Sequence, residues 1–304
     1  MDFVSKRNWF FMISFVVMLV SIISLLLPDG LDTGLEFTGG SSMTLEFQDD
    51  VSQEELRAQF TSLGHQQAVI QRLGEGSFFI RTRTLEESQS NEASERERII
   101  SDIASNLGTN VKITDFFSVS PSIASETVRN AILIMVIASV VILIYITLAF
   151  RRVPSPFRYG VAAILALIHD VVVVVGIFSI VGRIFNLEVN AMFIAGILTI
   201  IGYSVHDTIV VFDRIRENLI RGIGNNLGST INISIQDTIG RSLNTSLTML
   251  FAILALLLFG GQTILDFLIV LLIGIIVGTY SSIWIASPVL LVWENGDIRK
   301  LFRR

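Results

Sequence analysis

The sequence predicts an α-helical membrane protein with six transmembrane helices and a small α+β domain of ferredoxin-like βαββαβ order inserted after the first helix. Three observations predict it. The 304 residues are 51% hydrophobic and only 16% charged, with a mean hydropathy of +0.66, against about 25% charged residues in a soluble domain. Six apolar runs meet or approach the ~20 residues of helix that a hydrocarbon core about 30 Å thick requires. Between the first and second run lies a polar, acidic stretch whose apolar residues recur at short amphipathic spacing.

The runs are roughly Trp9 to Leu27, Asn130 to Phe150, Tyr159 to Val181, Asn190 to Phe212, Leu243 to Phe259 and Ile264 to Val292. The first follows Lys6 and Arg7 as a signal peptide would, but it is long for an h-region. It ends in Leu27-Pro28-Asp29-Gly30 with no A-x-A-like site, so it reads as an uncleaved anchor. Basic residues cluster at Lys6 and Arg7, at Arg151, Arg152 and Arg158, at Arg214, Arg216 and Arg221, and at Arg299, Lys300, Arg303 and Arg304. The loop from Gly260 to Thr263 has none. By the positive-inside rule both termini face the cytoplasm and residues 28–129 face the other side. The chain therefore divides into 1–27, a short cytoplasmic segment with the first helix; 28–129, the translocated domain; and 130–304, five helices and a cytoplasmic tail.

Residues 28–129 carry 17 acidic and 8 basic side chains. Ser42 to Phe47 alternates like a strand, and Ser52-x-x-Glu55 opens a helix to Leu63 as a capping box. Ala68 to Leu73 and Ser77 to Thr82 flank Gly74-Glu75-Gly76, a hairpin signal. Leu85 to Leu107 reads as a charged amphipathic helix, with Ser88 to Ser94 a mobile stretch, and Val111 to Val119 as a last strand. His65 reads as a lone surface imidazole, and Glu86, Glu87, Glu92, Glu95 and Glu97 as a solvated helix face. Nothing in this domain looks catalytic.

The net charge of −5 leaves no nucleic-acid footprint, and the absence of cysteine excludes disulfides, thiolate zinc sites and thiol catalysis. H-E-x-x-H, G-x-S-x-G and Walker A patterns are absent, which argues against hydrolysis of peptide or ATP. The informative residues are instead ionisable groups inside apolar runs, since insertion scales charge about 2.5 to 3.5 kcal/mol for Asp or Arg at a helix centre. Run three holds His169 and Asp170, with Ala162 and Ala166 preceding Asp170 on one face. Run four holds His206 and Asp207, with Ala191, Ala195, Thr199 and Tyr203 stepping by four onto Asp207. Run five is the most polar, and Ile231 to Phe259 could be helical throughout, carrying Asp237 and Arg241 into the helix. Gly274-x-x-x-Gly278 and Ser282 in run six form a close-packing face. Asp207, Arg241 and Asp170 read either as an ion pathway or as static pairs that fix helix register. The two histidines on different runs are weak evidence of a metal site.

Gly202-Tyr203-Ser204-Val205-His206-Asp207-Thr208, continuing IVVFDRIREN to Asn218, resembles a signature of the SecD/SecF family of bacterial protein export, on its SecF side. Gly34-Leu35-Glu36-Phe37-Thr38-Gly39-Gly40, His169-Asp170 and Gly260-Gly261 match as well, so the resemblance covers nearly the whole chain. It implies a half-transporter of the resistance-nodulation-division type that pairs with SecD. It further implies action beside the SecYEG channel, with YajC as a further partner, using proton-motive force to promote late, ATP-independent export of unfolded polypeptide. It implies no cofactor and no covalent catalysis. On this resemblance Asp207 and Arg241 match the family's membrane Asp and Arg. Asp170 and His206 join them in the pathway, and Gly202, Tyr203, Gly39, Gly40, Gly274 and Gly278 serve as motif or packing positions. Two departures stand out: His206 replaces the usual Asn, and Ser120-Pro121-Ser122-Ile123-Ala124 replaces G-P-x-x-G. The rival readings are a structural assembly subunit and a small-molecule efflux pump, the latter disfavoured because six helices make only half of a twelve-helix exchanger.

Overall fold

The computed structural model describes residues 3–28, 30–86, 94–185, 187–261 and 264–294. It is mostly helical, with six apolar helices and one small antiparallel sheet, and divides into two compact units, Thr33–Ala131 and Met1–Asp32 with Ile132–Arg304.

The first unit opens with a short helix, α2 (Leu35–Thr38), numbered after the membrane helix α1 (Arg7–Leu26). Then follow β1 (Gly40–Phe47), α3 (Gln53–Ser62), β2 (Val69–Gly74), β3 (Ser77–Thr82), α4 (Glu95–Leu107) and β4 (Val111–Val119). The strands pair antiparallel in the order β2-β3-β1-β4. Gly39 and Gly40 turn the chain from α2 into β1 with φ of +72° and +124°, values that L side chains rarely adopt. A Cβ on Gly40 would lie 2.7 Å from the Thr82 carbonyl oxygen. Alternation along β1 and β3 sends Met43, Leu45, Phe47, Phe78 and Ile80 to one face, where they meet Leu56 and Phe60 of α3 and Ile99 and Ile103 of α4.

The capping box at Ser52 is present: the Ser52 hydroxyl accepts from the Glu55 N–H and the Glu55 carboxylate accepts from the Ser52 N–H. A second box, Ser94 with Glu97, sets the start of α4 at Glu95 rather than at Leu85. Leu85 instead sits in the core, its N–H donating to the Ser41 hydroxyl at 3.0 Å. The stretch Ser88 to Ser94 lies, but for Ser94, outside the described residues, as do Glu87 and Glu92.

His65 is buried, not on the surface, at 3% exposure. The cause is the end of α3. Gly64 adopts φ +86°, its N–H donates to the Thr61 carbonyl, and the His65 N–H donates to the Phe60 carbonyl, the pair of bonds of a Schellman motif. That motif folds the residue after the glycine back onto the last turn, so the imidazole meets the Phe60 ring edge-on at 6.1 Å. Nδ1 lies 2.9 Å from Thr82 Oγ1, and Nε2 3.6 Å from Glu95 Oε1. Glu95 is thus no solvated bystander: it also pairs with Arg83 and accepts from the Glu86 N–H. Burial, and then the neighbouring Arg83 charge, lower the His65 pKa, with Glu95 opposing.

A histidine whose folded pKa is depressed binds fewer protons folded than unfolded, so its contribution is complete above its unfolded pKa of about 6.5 and is lost as pH falls below that value. We expect the thermal midpoint of the full chain to fall between roughly pH 7 and pH 5, and His65→Gln to flatten that fall. Equal slopes for the two proteins would show that His65 does not set the acid limb.

The second unit contains α1, most of α5 (Pro121–Ala149), α6 (Pro156–Phe185), α7 (Ala191–Ile220), α8 (Leu227–Phe259), and a last helix from α9 (Leu265–Ser281) through a π-helical turn at Ser282–Ala286 to α10 (Ser287–Glu294). Pro121 opens α5 at the first helical position, where its missing N–H is no loss. Helix α8 is continuous, so the longer of the two sequence readings is right, and Asn226 caps it through the Ser229 N–H. Helices α6, α7 and α9 are the inner ones: α7 packs on α9 and α8, and α6 packs on α1 and α9. Helices α1, α5 and α8 keep much apolar surface outward, as suits a hydrocarbon solvent.

Candidate functional site within the helical bundle

The row from Ala191 to Asp207 along α7 does not keep one face over its four steps. A residue advances 100° on the helix, so each step of four drifts by about 40°. Ala191, Ala195 and Thr199 are accordingly exposed, Tyr203 is half-buried and Asp207 is buried. The buried face runs instead through Gly196, Ile200, Ser204, Asp207 and Thr208. On α6 the shorter set holds together: Ala162, Ala166 and Asp170 are all at most 1% exposed.

Two carboxylates therefore lie inside the bundle, in different surroundings. Asp170 is saturated: its Oδ2 accepts from Ser204 Oγ of α7 at 2.5 Å and Ser281 Oγ of α9 at 2.6 Å, and its Oδ1 lies 3.0 Å from His169 Nδ1. Asp207 accepts one bond, from Ser242 Oγ of α8 at 2.7 Å, and its Oδ2 is buried with no hydrogen-bond partner among the described residues. Hydroxyl groups extend the polar region. Tyr203 Oη is 2.8 Å from Ser246 Oγ, which is 2.6 Å from Thr279 Oγ1, and Thr208 Oγ1 is 2.9 Å from Ser282 Oγ. The π-helical turn begins at Ser282, directly after Ser281; such turns inside α-helices are frequent at functional sites.

The remaining sequence candidates fall elsewhere. His206 and Arg241 are exposed, and among the described residues Arg241 makes no ion pair, with Asp207 or any other carboxylate. Asp237 pairs instead with Arg214 of α7 at 2.7 Å. Gly274 and Gly278 meet α7: a Cβ on Gly274 would lie 2.0 Å from Ile200 Cδ1, and one on Gly278 3.2 Å from Ser204 Cβ. Gly202 is exposed, and a Cβ there would meet open space. Ser204, Ser281 and Thr279 carry the network; Ser204 stands in the signature around Asp207, whereas Ser281 and Thr279 are hydroxyls of a kind common in apolar runs. Their one signal was spacing: Ser204 lies three residues from Asp207, and Ser281 seven from Gly274.

A bundle of six apolar helices, with carboxylates held by hydroxyls from neighbouring helices, is that of a multi-pass membrane protein. Comparison with known proteins narrows the class. The family model for the C-terminal part of the protein export membrane proteins SecD/SecF matches residues 99–296. A protein translocase subunit SecF from Thermobaculum terrenum is 42% identical over 310 aligned positions, covering 100% of this chain and 97% of that protein. One from Anaerolinea thermophila is 38% identical at the same coverage. The crystal structure of SecDF from Thermus thermophilus superposes with a TM-score of 0.77 at 32% identity, covering 97% of this chain and 39% of that one. The protein therefore belongs to the SecD/SecF family. It spans about two fifths of the SecDF chains, in which it matches one portion, and nearly the whole of the SecF subunits; it is a multi-pass bacterial membrane protein.

Proposed function

We propose that this chain is the SecF-type subunit of a protein export complex, which uses the proton-motive force to promote late, ATP-independent movement of polypeptide through the SecYEG channel, without covalent catalysis. The relatives named as translocase subunits support the export role, and the Thermus SecDF is described as translocon-associated. SecD is the natural partner, because related chains named SecDF are far longer than this one and match it over 39% of their length. The charge distribution supports cytoplasmic termini and an extracytoplasmic segment at 28–129. The strand order β2-β3-β1-β4, with α3 and α4 contributing to one core, supports a ferredoxin-like fold for that segment.

One observation carries the coupling: the Asp207 oxygen that lacks a partner among the described residues. A proton can be added there without breaking a hydrogen bond, whereas Asp170 has no comparable vacancy. Loading and unloading Asp207 changes the charge between α7 and α8. The saturation of Asp170 by three groups favours a second role for that residue alone, pinning α6, α7 and α9 in register.

The test is preprotein release from ATP-depleted membrane vesicles carrying the chain with SecD and SecYEG. A proton ionophore is expected to stop gradient-stimulated release and a sodium ionophore to leave it unchanged. Release indifferent to both would support the structural assembly reading instead.

A further inference from the structure

Helix α7 meets its two main neighbours in different ways. Against α9 the approach is close: Gly274 and Gly278 face Ile200 and Ser204, and a Cβ on Gly196 would lie 2.8 Å from Val270 Cγ1. Against α8 the contact is a ladder of polar rungs, Tyr203 with Ser246, Asp207 with Ser242, Arg214 with Asp237 and Asn218 with Ser234. A polar contact between membrane helices is individually weak where its groups have other partners to find.

One rung has such a partner. Arg214 holds two carboxylates, Asp237 at 2.7 Å and Glu217 of its own helix at 2.6 Å. Arg241, one turn along α8 from Asp237, holds none among the described residues. An acidic and a basic residue at i and i+4, the acid first, are neighbours on a helix surface and stabilise it. Both groups are open enough to move, since the Asp237 side chain is 35% exposed and Arg241 is exposed. The other charges beside this rung are already matched: Asp213 pairs with Arg216, and Arg221 with Glu217. A change of rotamer can therefore pass Asp237 from Arg214 to Arg241 and leave Arg214 with Glu217.

We infer that Asp237 is a positioning residue that exchanges partners, from Arg214 of α7 in this conformation to Arg241 of its own helix, and so closes and opens the α7–α8 seam beyond Asp207. The exchange rests on the coupling role proposed for Asp207. Ser242, which donates to Asp207, directly follows Arg241, so the Asp207 charge lies against the turn of α8 that carries Arg241. An ionised Asp207 offsets that arginine. A protonated one does not, and Asp237 is the one carboxylate that α8 itself supplies.

The chain has no cysteine, so a single introduced thiol can report on the seam. Thr238 is 5% exposed and lies one turn from both Ser234 and Ser242, which touch α7. In vesicles carrying Thr238→Cys with SecD and SecYEG, a proton gradient is expected to speed labelling by N-ethylmaleimide about threefold to tenfold, the scale of one lost interhelical polar contact. Adding Arg241→Met should remove that response, although its thiol meets the same change of pH. Asp237→Asn and Arg214→Gln should each label fast with or without a gradient, and Asp237→Glu should restore the parent pattern; these decide the matter if Arg241→Met does not fold. Gradient-independent labelling of the parent, or an undiminished response with Arg241→Met, would overturn the exchange. Release measured in the same vesicles keeps the two readings apart. Gradient-stimulated release with gradient-independent labelling removes the exchange alone, whereas labelling that follows the gradient without release supports the exchange and removes the export reading.

Discussion

Replacing Asp207 by Asn is expected to abolish gradient-stimulated preprotein release while leaving protein level, SecD association and thermal stability near wild type. The substitution is nearly isosteric, and the amide oxygen can still accept from Ser242 Oγ in the place of Oδ1. What disappears is the ability to exchange a proton at Oδ2, the atom that has no other engagement. The magnitudes permit coupling: a 100 mV potential supplies about 2.3 kcal/mol per charge moved across the membrane, comparable with the ~2.5 to 3.5 kcal/mol for placing Asp at a helix centre. Arg241→Met should abolish release in the same way. Arg241 lies on the exposed side of α8 and shares no ion pair with Asp207 in this conformation, so its part in coupling requires a second arrangement of α7 and α8. The double variant Asp207→Asn with Arg241→Met is expected to remain inactive. Restored release in the double variant would mean that the two charges merely balance each other, and the coupling role would fall.

Gly274→Leu is expected to remove most folded protein, by a destabilisation of about 3 kcal/mol, at the upper end of the usual range for overpacking. Even the first added carbon would lie 2.0 Å from Ile200 Cδ1 and 2.3 Å from Cγ1, and Ile200 is itself 1% exposed. The helices in contact, α7 and α9, supply Ser204 and Ser281 to Asp170, so a shift between them also opens the polar network. Gly274→Ala alone should lower the thermal midpoint, and Ile200→Ala in the same chain should recover much of the loss by removing the atoms that clash. Wild-type stability for Gly274→Leu would mean that the α7–α9 contact can spread at little cost, contrary to the close approach seen here.

How much could be read in advance follows from the range of each signal. Much of the secondary structure is local: a run of about 20 apolar residues marks each of the six membrane helices, although α5 and α8 begin well before their apolar runs, and a Ser-x-x-Glu box and a Gly-x-Gly turn place α3 and the β2–β3 hairpin closely. The start of α4 was equally local, since Ser94-x-x-Glu97 marks it, but the charged run from Leu85 obscured it. For His65 composition suggests exposure, whereas the Schellman turn at Gly64 directs it onto Phe60. Asp170 and Asp207 stood out as carboxylates in apolar runs, which hydrocarbon makes conspicuous at any distance in sequence. Their difference in character was not legible. It depends on hydroxyls 34 and 111 residues from Asp170 and 35 from Asp207, and on which face of α7 meets its neighbours. Which oxygen is saturated and which is free to take a proton is a property of how α6, α7, α8 and α9 meet. A chain read one residue at a time contains no record of that meeting, because the hydrogen bonds form between side chains that only packing brings within 3 Å.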